Sequence, residues 1–534
     1  MRHGRQWAIV LGILGTVGAL LISAAWPGNI TITVSPETTY VTGPLDKHGY
    51  VDYVTALNER LSKGITPENN ANVLIWQALG PHPEGGTMPA EYFHWLGIES
   101  PPEEGEYLVS WQNYLKENQK LADRIKRDPN SDPMTQGTHW PWTAKEEPEL
   151  ADYLKRNEKP LALFIEATRR PEYYNPLAPN RTEDWSTGLI GALVPQVQKC
   201  RELANALACR AMLRVADGKV DEAWQDLLAC HRLGRLIARG GSLIELLVGI
   251  AINQVANEAD VAFVDQAKLT SKQVQACLDD LRKLPPMPAL ADKIDLGERF
   301  MFLDTVILMA RQGTALLAVN QGASSFEGLA LHDRISKEDQ AKAKLFTRSV
   351  NWDPALRNAN HWFDRYVVAL RIMDRTAREV ELAAIGQDLK ILKKQVADTG
   401  PFEMLSLGPH SRGEMIGNIM ISLMLPAFDK LQGAVERCEQ GQRNLHLAFA
   451  LAAYQRDNGQ YPAKLEELAP KYIEGIPDDL FSGNPLIYRL VDKGYLLYSV
   501  GPNGKDEDGR GNNDEPRGDD LSVRMPVPKP VEKK

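Results

Sequence analysis

Apolar residues recur at three- and four-residue intervals over most of this chain, the mark of helices with one buried face. The pattern is clearest from Leu189 to Asp265, where Ala204, Ala208, Met212 and Val215 form one stripe. Ala216-Asp217-Gly218-Lys219 breaks it, and Val220-Asp221-Glu222-Ala223-Trp224 opens a second helix with acids in its first turn. Further helices are predicted over 271–284, 294–320 and 337–350. A long one is expected from Asp353-Pro354 to about Val396, with Asp as N-cap and Pro in the first turn. Gly400-Pro401 and Gly408-Pro409 read as a linker. The next helix runs from Gly413-Glu414 to Asn458 with Pro426 inside it, and then the period changes. Leu486-Ile487-Tyr488-Arg489 and Tyr495-Leu496-Leu497-Tyr498-Ser499 predict a hairpin turning at Asp492-Lys493-Gly494.

The front of the chain is less regular. From Trp7 to Trp26 runs an uncharged, mostly apolar stretch preceded by Arg2, His3 and Arg5. Twenty helical residues span about 30 Å, the thickness of a bilayer core. The basic residues before it, with none after it until Lys47, put its start in the cytoplasm and the bulk of the chain outside. A cleaved signal peptide is the competing reading, with Ser23-Ala24-Ala25 as the small residues before the cut. Residues 27–47 read as a Thr-, Pro- and Gly-rich stalk. Short helical patterns alternate with Pro-rich breaks up to about residue 145, and the tryptophans there are expected to pin irregular segments onto helices.

At 534 residues the chain holds two to four domains. Its net charge of −9, with no cluster of Lys and Arg, argues against nucleic acid as a partner. Five scattered cysteines form no CxxC and no disulfide framework. Cys209 and Cys230 lie at similar distances from Gly218 and could face each other in a helical hairpin, either as a bridge or as buried thiols. No nucleophile elbow, zinc-protease, phosphate-loop or dinucleotide motif is present, so catalysis lacks a signature. His231, His139 and Glu245, a carboxylate on an apolar helix, are the ionisable residues to watch. A structural bond to a helix such as that bearing Arg210 explains Glu245 equally well.

Two resemblances follow. Residues 204–237, with Gly218, Val220, Glu222-Ala223-Trp224 and Leu227, look like one tetratricopeptide-type hairpin without further copies. The second covers about 110 residues. Met424-Leu425-Pro426-Ala427-Phe428, Asn458-Gly459-Gln460-Tyr461-Pro462, Gly483-Asn484-Pro485 and Tyr498-Ser499-Val500-Gly501-Pro502-Asn503-Gly504 occur in the order seen in the type II secretion major pseudopilin, which this stretch resembles. The N-terminus lacks a prepilin cleavage signature, so the resemblance implies a pilin-like module used outside a pilus. It also implies a calcium site made by Val500, Asn503, Asp506, Asp508, Asp519 and Asp520, with Asn503 where the family usually has Asp. Calcium takes six to eight oxygens, from carboxylates and carbonyls alike. The loop is no EF-hand, and its composition fits a solvated acidic tail as well.

The expected fold is mainly α: an N-terminal transmembrane helix, a large helical body and a C-terminal α+β domain of one long helix plus a small antiparallel sheet. Its segments are 1–26 (anchor), 27–145 (stalk and short helices), 146–400 (helical domain), 413–526 (pseudopilin-like domain) and 527–534 (tail). The expected role is structural or interactive, at the extracytoplasmic side of the inner membrane, with the membrane and other proteins as partners. A helical peptide-binding module and an extracytoplasmic enzyme with its site in the helical middle are the alternatives.

Overall fold

The computed structural model describes residues 30, 32–181, 186–192, 194–312, 347, 349–399 and 406–528. The predicted anchor Trp7–Trp26, nearly all of the 337–350 helix, the end of the 294–320 helix and the tail from 529 lie outside them. In chain order the principal helices are α1 (Pro195–Ala216), α2 (Val220–Ala238), α3 (Leu243–Gln266), α4 (Arg299–Gln312), α5 (Asp353–Leu370), α6 (Arg375–Asp398), α7 (Pro409–Met424) and α8 (Phe428–Asn458). Strands β1 (Ile487–Val491), β2 (Gly494–Ser499) and β3 (Leu521–Met525) form one antiparallel sheet in that order. The protein is mainly helical. It divides into two units, each built from three separated stretches: 1–61, 177–193 and 291–429 in the first, 62–176, 194–290 and 430–534 in the second. These interleave along the chain, whereas the sequence divides it serially.

In the first unit α5 lies across α7, where Gly417 has no side chain to hold the helices apart; a Cβ there would sit 2.8 Å from the Ala355 Cα. The single helix expected to reach Val396 is two helices. Asp374 accepts a hydrogen bond from the Ala377 backbone N–H at 2.7 Å and caps a new start, so α5 ends at Leu370 and α6 begins after the turn. Residues 32–41, expected as a stalk, are docked on this unit. The Thr33 backbone N–H and hydroxyl both donate to Asp353, at 2.9 and 2.6 Å. Asn360 donates to the carbonyls of Glu37 and Thr38. Tyr40 donates to Asp295 at 3.1 Å and lies under the buried Arg299 guanidinium, which also pairs with Asp295 and Asp364.

In the second unit α1 and α2 turn at Gly218 as the sequence predicts, and α3 returns along α2. Fourteen of the 19 residues of α2 are buried, so it is a central helix of this unit. Its polar members are answered: Arg210 and Arg214 both reach the buried Asp226. Among the described residues α3 alone is long and apolar enough to cross a membrane, yet most of it is core, with Ile252, Ala256, Ala259 and Phe263 buried. Trp224 stacks on Phe263 of α3 and meets Phe449 of α8 edge-on, each at 5.7 Å. Leu445, Ala448, Phe449 and Ala452 then continue into the inner face of the sheet through Tyr495, Leu497, Val523 and Met525, all in one apolar cluster. The front tryptophans join cores as expected, Trp76 meeting Tyr92 and Phe93 edge-on. All five cysteines are buried and unbridged; Cys209 faces Met134 and Cys230 the carbonyl of Ala204.

Candidate metal centre

The predicted hairpin β1–β2 forms and turns at Asp492-Lys493, with Val491 opposite Gly494. Strand β3, which pairs Ser499 with Leu521 and Tyr495 with Met525, makes the segment between β2 and β3 a closed loop. Two features fix that loop to the module. Asp479, buried in the turn before β1, accepts from the Ser499 hydroxyl at 2.7 Å and from the backbone N–H of Val500 at 3.2 Å. Asn444 of α8 donates to the Leu521 carbonyl at 2.7 Å. At the loop's start Gly501 has φ +66, and a Cβ there would lie 2.2 Å from the Asp519 carbonyl oxygen. Only glycine permits that approach.

The loop then gathers three carboxylates. One oxygen each from Glu507, Asp519 and Asp520 lies within 4.8 Å of the others, a grouping that could hold a metal ion. Asp520 is buried, and its Oδ2 accepts from the backbone N–H groups of Glu507 (3.1 Å) and Gly509 (2.7 Å). Its Oδ1 and the Oδ1 of Asp519 are buried without a hydrogen-bond partner. Burial pushes the Asp520 carboxyl up to about 6 and raises that of Asp519, while the Asn503 amide holds Glu507 below the usual range. Three like charges this close repel unless a proton or a cation joins them. All the donors are hard oxygens, which suit Ca²⁺, Mg²⁺ or Mn²⁺ and not thiolate- or imidazole-seeking ions.

Of the residues singled out in the sequence, Asp519 and Asp520 are brought together. Asn503 stands at the rim, its backbone N–H on Asp519 (3.0 Å) and its side-chain amide on Glu507 (2.8 Å). Asp506 and Asp508 are drawn elsewhere: Arg489 of β1 pairs with both, at 3.6 and 2.9 Å, and Asp506 also accepts from Tyr498. Val500 supplies a backbone N–H to Asp479, which locks the strand end beside the cluster. Glu507 is the member that sequence reasoning passed over. In an irregular acidic loop no period tells one carboxylate from the next; only the fold does so.

The other ionisable candidates all have protein partners. Glu245 closes a capping box with Ser242 and accepts from Asn175 at 2.8 Å, and Arg210, a partner considered for it, belongs to Asp226. His231, fully buried, bridges Asp260 (2.7 Å) and Asn253 (3.1 Å), in a polar seam with Arg235 and Cys438 between α2, α3 and α8. His139 sits 3.7 Å from Glu258 at the surface. Compared with protein-family models, with curated proteins and with solved structures, the chain shows no match.

Proposed function

We propose that this is a membrane-anchored, extracytoplasmic structural or interaction protein, held by Trp7–Trp26 and ending in a pseudopilin-like module whose acidic loop takes calcium. The metal part of this reading is carried by one observation: Glu507, Asp519 and Asp520 converge, and Asp519 and Asp520 each keep a buried, unanswered oxygen. A cation would answer both oxygens and the mutual repulsion at once. Calcium fits better than magnesium because it tolerates the irregular shell that carboxylates on an irregular loop offer. The module's role on this reading is assembly or scaffolding in the envelope, with the bound ion holding the loop between β2 and β3 as a fixed surface. The full-length protein in detergent provides the test. Calcium titrated calorimetrically should bind, and at a hundredfold excess over its Kd should add about 2.7 kcal/mol to stability. Chelator should lower the melting temperature, and Asp520→Asn should remove the response to both. Absence of binding heat together with a melting temperature indifferent to chelator would defeat the metal part.

A further inference from the structure

The first unit carries a second feature that the proposed role does not use. Leu45, Asp46, Lys47 and His48 form an exposed turn closed by the bridge between Leu45 and Val51. Leu45, at the base of this turn, is 52% exposed. The turn is rigid: the Asp46 carboxylate accepts from the backbone N–H groups of His48 (2.8 Å) and Tyr50 (3.0 Å). Arg311 pairs with the same carboxylate at 2.7 Å and lies 4.9 Å over the Tyr50 ring. The acid is thereby neutralised. What the turn exposes is an apolar side chain beside the basic Lys47 and His48, a combination suited to the boundary between headgroups and acyl chains.

Chain length says what lies opposite. The Tyr50 hydroxyl donates to the carbonyl of Ile30 at 2.8 Å, and Ile30 is only four residues beyond Trp26. Four extended residues reach at most about 14 Å. Thr33, three residues further on, is bonded twice to Asp353, so Ile30 and Thr33 both hold the chain to this unit. We infer that the turn from Leu45 to His48 rests on the lipid surface that Trp7–Trp26 enters, anionic headgroups meeting the basic side chains of the turn and Leu45 entering the interface. This rests on the anchor proposed above.

The experiment uses the full chain reconstituted in vesicles of mixed zwitterionic and anionic phospholipid. Leu45→Cys is labelled with an environment-sensitive fluorophore, the native cysteines all being buried. A second sample carries the label at Met373→Cys, 93% exposed in the same unit and just past the far end of the helix that Thr33 grips at its start. Lipid-borne quenchers should quench the label at 45 severalfold more than that at 373, and high salt should weaken the difference. Alkaline extraction of the same vesicles reports on the anchor. Protein released by it would overturn anchor and contact together. Protein retained, with equal quenching at both positions, would overturn the contact alone.

Discussion

A carboxylate placed in a protein interior must be answered by donors, by a cation or by a proton, and this chain uses all three. Asp479 is answered by donors and Asp226 by arginines. Asp304 of α4 has one backbone N–H, from Leu189 at 2.8 Å, and burial pushes its carboxyl up to about 7 against that bond. An unfolded aspartate titrates near 3.9, so the folded first unit binds this proton more tightly than the unfolded chain does. Stability from this group is therefore complete below about pH 4 and lost as pH rises through about 7. Asp304→Asn should flatten that slope, giving a melting temperature above the parent's at about pH 8 and no advantage at about pH 4. Melts of the two proteins across this range check it, and parallel curves would refute the assignment. The residue scale is also where the sequence was least legible. That Glu507 joins Asp519 and Asp520 while Asp506 and Asp508 turn to Arg489 depends on where β1 lies, and no spacing within the loop encodes it.

Elements were more legible, because burial on one face imposes a period that sequence carries directly. The helical hairpin about Gly218, the strands of the first hairpin and the interruption at Pro426, where a short 3₁₀ turn joins α7 to α8, were all readable for that reason. Two elements were not read. Leu521-Ser522-Val523-Arg524-Met525 alternates as a strand should, but it directly follows an acidic run that drew attention to its charges. The division of α5 from α6 was hidden because Leu370, Met373 and Ala377 continue the helical spacing across the break. Asp374, a single capping side chain, outweighs that spacing, and Met373 ends up exposed in the turn. Since α6 has only Ile385, Leu389 and Leu392 buried, its first turn depends on the cap more than on packing. Asp374→Ala should cost about 1 kcal/mol. It should lower the urea midpoint of the first unit without changing the slope, and speed amide exchange at the start of α6. A midpoint equal to the parent's would show that packing alone holds that turn.

At the scale of the whole molecule, the serial reading met a chain that interleaves its units. The C-terminal stretch was legible as a helix followed by a small sheet, but sequence spacing cannot show that α8 faces the sheet on one side and α2 and α3 on the other. Phe449, fully buried, touches Trp224, and Arg456 donates to the carbonyls of Leu269 and Val264. Val527, just past β3, donates its backbone N–H to Asp265 at 3.0 Å. The C-terminal stretch and the helices α1, α2 and α3 thus form one apolar core, and each leaves a large face bare without the other. Phe449→Ala removes a ring from the middle of that core and should cost about 3–5 kcal/mol. If the core is shared, helix melting and loss of the sheet's tyrosine environment fall together by the same amount. If the module were independent, the tyrosine signal would shift and the remaining helical signal would not. By the same reasoning residues 413–526 expressed alone should show no cooperative melt, with or without calcium, because α8 would expose Phe449 and its neighbours to water. A fragment that melts cooperatively and binds the ion would show that the sheet alone suffices to bury that helix.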